Sequence, residues 1–415
     1  MKEPKDTMTF EDVDARAKEL FAKDNAISHW SYIDEGDRSY WRTMAAEQPL
    51  PAVTKTEFLP RLESLRCVAA LTVVGYHVGG QLSGGLAYSR FDDIAWRTIH
   101  ALSNGLGAVV TFFVLSGFVL ARSLDGNFDP VRFFRNRVFR LFPAAMAVVA
   151  LFTALHWQFG LFVGYEASFD LLEVILNLLL VRSDINGVMW SVTVECAATP
   201  LILLSVWLFR KYGERPHWVL VAVLLALSSW GPYVHLLGGF TNLAPLYAFV
   251  VGVLLHFRGA RITSLLSPRL AAFAGFSAIA LFWFCGSRTQ SALIILLECL
   301  SAATLIGLIT WHPATSLFKP LDFALVRFYG RISYSFYLLH PLGILFAFRI
   351  LEPLTLNARI LPLSITVIFV TFVSILLTTP LAYLSWRFIE TPCIRYGRLF
   401  GKRPTLQPVG APERY

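Results

Sequence analysis

Charge is scarce in this chain of 415 residues: 15% of it is Asp, Glu, Lys or Arg, against about 25% in a soluble globular protein. With 55% hydrophobic residues beside it, that scarcity excludes an ordinary soluble enzyme. Cysteine is sparse too. Cys67, Cys196, Cys285, Cys299 and Cys393 lie in or beside apolar runs, with no C-x-x-C or Cys/His ligand spacing. Neither a disulfide framework nor a metal site is therefore expected. The first 60 residues lack the short apolar core and small-residue cleavage site of a signal peptide, so the amino terminus is expected to stay attached. No internal repeat is visible, which leaves an inverted-repeat transporter without support.

What the chain has in abundance is long uncharged stretches. No Asp, Glu, Lys or Arg occurs in Cys67–Ser89, Ile99–Ala121, Leu141–Val163, Pro216–Phe257, Leu270–Ser287, Ile332–Phe348 or Ile360–Trp386. Each is long enough to cross a bilayer. The runs predict an all-α, polytopic membrane bundle of about ten transmembrane helices, near 65–82, 99–121, 141–162, 188–209, 217–233, 240–257, 270–286, 290–311, 331–349 and 360–385. A net charge of +8 suits either nucleic acid or cytoplasmic loops, and the positions of the charges decide. With the amino terminus inside, 30 of the 36 Lys and Arg residues fall on the inner side and six on the outer. The positive-inside rule then puts both termini in the cytoplasm and removes nucleic acid as a partner. The expected setting is a bacterial inner membrane.

Three segments frame the chain. Residues 1–60 read as a polar cytoplasmic extension, with an amphipathic helix over Thr9–Ala22 and an aromatic cluster at His29–Tyr32 and Ser39–Trp41. Residues 61–396 form the membrane domain, in which 163–187 is a loop holding a short helix around Phe169–Val181. Residues 397–415 are expected to form a cytoplasmic tail.

Ionisable groups inside a membrane are costly, so each is a functional candidate. The first span carries Arg66 and, eleven residues on, Tyr76-His77. That spacing is roughly 16 Å along a helix, with a cation near the inner surface and an imidazole near mid-membrane. Imidazole is suited to take a proton from a hydroxyl at neutral pH; structural hydrogen bonding is its alternative role. Ser116-Gly117 permits close helix approach or backbone access by a ligand. Arg137 and Arg140, spaced i, i+3, project from one helix face and form a fork for phosphate, or else an inner-surface anchor. Trp190-Ser191-x-x-x-Glu195 buries a carboxylate whose partner is His77 or an arginine. Glu298 is a second intramembrane carboxylate without a motif around it. Tyr334 and His340 belong to a hydroxyl-rich run, Ser333 to Pro341, that either lines a pocket or bonds within the bundle. Glu390 reads as a helix-end cap or a salt bridge to Arg387.

Taken in order, these segments resemble the membrane-bound acyltransferase family 3, over about residues 58–396. The resemblance rests on Arg-x10-His (Arg66, His77), FFxxSGF (Phe112–Phe118), RxxRxxP (Arg137, Arg140, Pro143), WSxxxE (Trp190, Ser191, Glu195), GxxSYxxYLxH (Gly330–His340) and FIExP (Phe388–Pro392). It implies about ten spans and transfer of an acyl group, commonly acetyl, from acetyl-coenzyme A or another acyl-CoA to a carbohydrate hydroxyl. His77 and Glu195 are then the catalytic pair, and Arg66, Arg137 and Arg140 the donor-binding cations. Tyr76, Ser116, Trp190, Ser191, Tyr334 and His340 are the implied substrate contacts. Coenzyme A is polyanionic, which suits the arginines, while its thin pantetheine arm reaches toward His77. Direct attack with His77 as general base and transfer through an acyl-imidazole both fit, and backbone donors near Ser116-Gly117 are candidates for the thioester oxyanion. Three acceptors stay open: an exported polysaccharide, a lipid-linked glycan and a small glycosylated metabolite. A proton-coupled transporter or a non-catalytic receptor is the rival from another class.

Overall fold

Short polar residues open the helices, where free backbone N–H groups need acceptors. Asp129 accepts from the Arg132 amide at 2.9 Å, Asp170 from the Glu173 amide at 2.8 Å, and Ser267 and Ser291 cap in the same way. Gly160 closes its helix in the left-handed region, at φ 65°. The computed structural model describes residues 59–82, 89–126, 128–164, 167–230, 234–236, 239–241, 245–352 and 361–400. The expected Thr9–Ala22 helix, the aromatic cluster after it and residues 401–415 of the tail lie outside the described residues.

The helices are α1 (Pro60–Leu82), α2 (Arg90–Leu102), α3 (Gly105–Gly126), α4 (Pro130–Phe159), α5 (Leu171–Leu178), α6 (Trp190–Tyr212) and α7 (Arg215–Trp230). After them come α8 (Leu246–Ser264), α9 (Pro268–Gly286), α10 (Ala292–Trp311), α11 (Ala324–Ile350), α12 (Leu363–Ser385) and α13 (Thr391–Leu399). Among the described residues, seven helical stretches, containing α3, α4, α6, α8, α9, α10 and α12, are long and apolar enough to cross a membrane. The protein is an integral membrane protein. Of the ten expected spans, α1 and α11 are long but dense in polar groups, and α7 has only 16 residues.

Two expectations are corrected. The span expected over 99–121 starts later: α2 ends at Leu102, a Ser103-Asn104 corner follows, and α3 runs from Gly105 to Gly126. Between α7 and α8 the chain forms an antiparallel hairpin, Val234–Leu236 (β1) against Gly239–Thr241 (β2), with Val234 opposite Thr241. The fold is thus helical apart from that hairpin, among the described residues.

Two apolar clusters make the core. The larger joins α3, α4, α6, α8 and α10, and the smaller joins α1, α11 and α12. Glycines allow the closest approaches. A Cβ on Gly117 would overlap the Phe249 carbonyl oxygen, and one on Gly252 would overlap that of Val114, so α3 and α8 pack backbone to backbone. Gly330 does the same between α11 and the Glu63 carbonyl of α1. Asp92 of α2 caps α12, accepting from the Leu363 and Ser364 amides at 2.9 Å each. Outside the spans, Arg61 donates to Asp322 and holds that carboxyl below the usual carboxylate range, pinning the turn Ser316–Asp322 to the start of α1.

Candidate active site

The first half of α1 and the start of α4 meet at a cavity of about 1330 Å³. Arg66, Arg137 and Arg140 reach it, and so do the more exposed Arg132, Arg327, Arg331 and Arg398. Three acids, Glu63, Asp129 and Glu390, also line it. This vestibule is strongly cationic, as a polyanion requires.

Its inner wall is built from two ion pairs. Arg137, 6% exposed, donates from Nη2 to Glu195 Oε1 at 2.8 Å, and Ser116 Oγ donates to the same oxygen at 2.8 Å. Arg140 Nη1 stands 3.7 Å from Glu390 Oε1, while Ser335 Oγ donates to Glu390 Oε2 at 2.9 Å. Glu390 is presented by a π turn, Trp386–Glu390, between α12 and α13; such turns recur where a side chain is re-aimed at a site. Each guanidinium of the i, i+3 fork thus faces its own carboxylate. No hydrogen bond joins Glu195 to His77 among the described residues, so the arginine alternative for Glu195 holds and the imidazole alternative does not. Glu390 pairs with Arg140 rather than with Arg387.

Behind that wall lies a narrow chamber of about 50 Å³, reached by Arg66, Arg140, Glu195, Ser191, Tyr334 and Tyr337. Tyr334 donates to the Leu141 carbonyl at 2.7 Å. The Tyr337 hydroxyl sits 2.9 Å from Ser191 Oγ and donates to the Val188 carbonyl at 3.0 Å. Phe112 meets its ring edge-on, with centroids 6.0 Å apart. Tyr337, Ser191 and Val188 form a hydrogen-bonded partition between this chamber and the cavity at His77.

His77 stands beyond the partition. Its ring lies 5.4 Å from that of His340, which is fully buried and has Nδ1 2.6 Å from the Tyr337 carbonyl oxygen. His77 and His340 line a cavity of about 260 Å³ with Trp190, Phe162, Val188 and Gln81. The loop before α6 supplies one side of it. A second, more open cavity of about 370 Å³ shares His77 and Gln81 and adds Tyr76, Gly80 and His100. α1 thus puts Arg66 in the vestibule and His77 in the groove at its other end.

The sequence-predicted residues accordingly divide into two groups. Arg66, Arg137, Arg140, Glu195 and Ser116 gather at the vestibule wall, with Tyr334 and Ser191 just behind it. His77, Tyr76, Trp190 and His340 gather at the groove. The suggested oxyanion donors at Ser116-Gly117 lie in the middle of α3, where backbone N–H groups are engaged in the helix, and Gly117 serves close packing. Sequence reasoning missed Gln81, His100, Arg327 and Arg398, and named Tyr337 only as part of the hydroxyl-rich run. Gln81 had a usable signal: it follows His77 by one helical turn on the same face. Glu298, also buried, takes a hydrogen bond from Asn104 at 2.9 Å and touches none of these cavities.

Comparison with known proteins comes to bear on this geometry. The family described as an acyltransferase domain matches residues 59–386. The O-acetyltransferase OatA of Staphylococcus aureus strain NCTC 8325 / PS 47 is 24% identical over 378 residues, covering 82% of this chain and 58% of the relative. OatA of strain MRSA252 gives the same figures. The chain thus spans less than two thirds of the length of these curated relatives. No solved structure matches it.

Proposed function

The chain belongs to acyltransferase family 3, whose domain occupies its residues 59–386, and from that premise we propose that it is a membrane O-acyltransferase moving acetyl from cytoplasmic acetyl-coenzyme A to a carbohydrate hydroxyl. That it is an acyltransferase follows from the family; the donor, the acceptor and the roles below are our reading. Ten spans, with α1, α7 and α11 completing the seven, and both termini in the cytoplasm of a bacterial inner membrane, belong to the same proposal.

One observation carries it. A single helix, α1, joins a cation-lined vestibule at Arg66 to a neutral groove at His77. The phosphates of coenzyme A are held by the exposed arginines Arg132, Arg327, Arg331 and Arg398 together with Arg66. Arg137 and Arg140 act mainly by fixing Glu195 and Glu390 in the wall. The pantetheine arm enters the narrow chamber, and displacement of the Tyr337–Ser191 partition lets the thioester meet His77. His77 takes the proton of the acceptor hydroxyl as its oxygen bonds to the acyl carbon. The carbon–sulfur bond then breaks, and the departing thiolate receives that proton. Trp190, Phe162 and Val188 give the cavity an apolar side, which disfavours water as a competing acceptor.

The test uses membranes holding the full chain or its His77→Ala variant at matched levels, supplied with radiolabelled acetyl-coenzyme A. Label entering cell-envelope carbohydrate with the wild type and lost with the variant is the expected result. Equal labelling by both removes His77 from the chemistry.

A further inference from the structure

The two cavities that meet at His77 share a property the vestibule lacks. Among the described residues, no Asp, Glu, Lys or Arg lines either of them, whereas seven arginines line the vestibule. A ligand carrying a carboxylate, phosphate or ammonium would be stripped of water in the groove without a counter-charge, which is strongly unfavourable. A neutral ligand suffers no such loss.

The walls say what kind of neutral ligand fits. Trp96, His100 and Tyr76 form a ring stack, with centroids 5.4 and 5.8 Å apart and planes inclined by 9° and 23°. Tyr76 ends the stack, 37% exposed, and its ring meets His77 at 5.5 Å. The part of the Tyr76 ring left exposed between His100, His77 and Gly105 offers an aromatic edge to the C–H groups of a pyranose, while neighbouring amide and imidazole groups bond its hydroxyls. Gln81 offers both a donor and an acceptor and borders both cavities. His100 Nδ1 is buried without a partner, and a Cβ on Gly79 would lie 3.1 Å from it. The other ring nitrogen, Nε2, is therefore the one left for an occupant of the groove. Together the cavities have the size of a small-ligand site.

From this charge separation and these side chains we infer that the groove is the acceptor subsite, that Gln81 and His100 bind hydroxyls there, and that it takes an uncharged glycosyl unit rather than an acidic or phosphorylated one. The inference rests on the acyltransferase reading only for the role of His77.

The experiment applies the purified full chain, in detergent, to an array of neutral oligosaccharides and of oligosaccharides carrying carboxylate or sulfate, with coenzyme A binding measured on the same preparations. Neutral glycans retained by the wild type, and weakened about tenfold or more by Gln81→Ala and by His100→Ala, are the expected result, since each substitution removes hydrogen bonds to the ligand. His100→Gln, which keeps an N–H donor, restores part of the binding, and coenzyme A affinity stays the same in all three variants. The inference falls if acidic glycans bind better than neutral ones, if no glycan is retained, or if both alanine variants bind neutral glycans as the wild type does. Failure of the wild type to bind coenzyme A counts against the donor reading instead, and leaves the glycan result to be judged separately.

Discussion

Replacing Arg137 by methionine leaves Glu195 as a mostly buried carboxylate held only by Ser116. Replacing Glu195 by glutamine leaves the guanidinium, 6% exposed, without its counter-charge. At the observed 2.8 Å contact the charge centres lie about 4 Å apart, which gives ~4 kcal/mol of attraction at an effective dielectric near 20. Breaking one side of a buried pair costs roughly 3–5 kcal/mol, because the orphaned charge remains. Removing both charges relieves that penalty. Arg137→Met with Glu195→Gln together should therefore lose about 2–4 kcal/mol less than the sum of the single losses. The measurement is reversible unfolding of the four proteins in mixed micelles, followed by tryptophan fluorescence, as a double-mutant cycle. A coupling below about 0.5 kcal/mol would refute the ion pair as the element that holds this wall.

Three further outcomes follow from the packing. Gly117→Ala sets a methyl against the Phe249 carbonyl and should destabilise the α3–α8 contact by about 1–3 kcal/mol, seen as a lower unfolding midpoint; an unchanged midpoint would contradict that packing. Tyr337→Phe keeps the ring but removes its bonds to Ser191 and Val188. It should cost about 0.5–1.5 kcal/mol of stability and raise the rate at which a vestibule-side thiol reagent labels a cysteine placed at Val188. Glu298→Gln preserves an acceptor for Asn104 and leaves every cavity untouched, so acetyl transfer should stay within about twofold of wild type, whereas Glu195→Gln lowers it severalfold.

Local patterns in the sequence were enough for most helices and for several of the residues that line the cavities. Uncharged runs mark α9 and α12 closely, and the arginines at i, i+3 and the carboxylate after Trp190-Ser191 do converge on one wall. The failures have a common physical origin. The α2–α3 corner is hidden because Ser103 and Asn104 carry no charge and interrupt a run that still reads as apolar. Pairings are decided at long range: Glu390 finds Arg140 from 250 residues away, and Asp92 caps α12 across 271 residues. Spacing within one helix, such as Arg137 to Arg140, reveals which groups share a face. It does not reveal that each has a different carboxylate waiting on a different helix. The groove was missed for the same reason, since His100 joins Tyr76 only when α2 folds back beside α1.

The partition made by Tyr337, Ser191 and Val188 also bears on the cell's energy supply. A water-filled passage from the arginine vestibule to the His77 groove would let protons and small ions run down their gradients whenever the protein is idle. One phenol ring with its two hydrogen bonds stands between the narrow chamber and that groove. On the mechanism proposed above, the closure needs to yield only to a slender thioester arm, which plugs the opening it makes. An enzyme built this way can be abundant in an energised membrane without draining it.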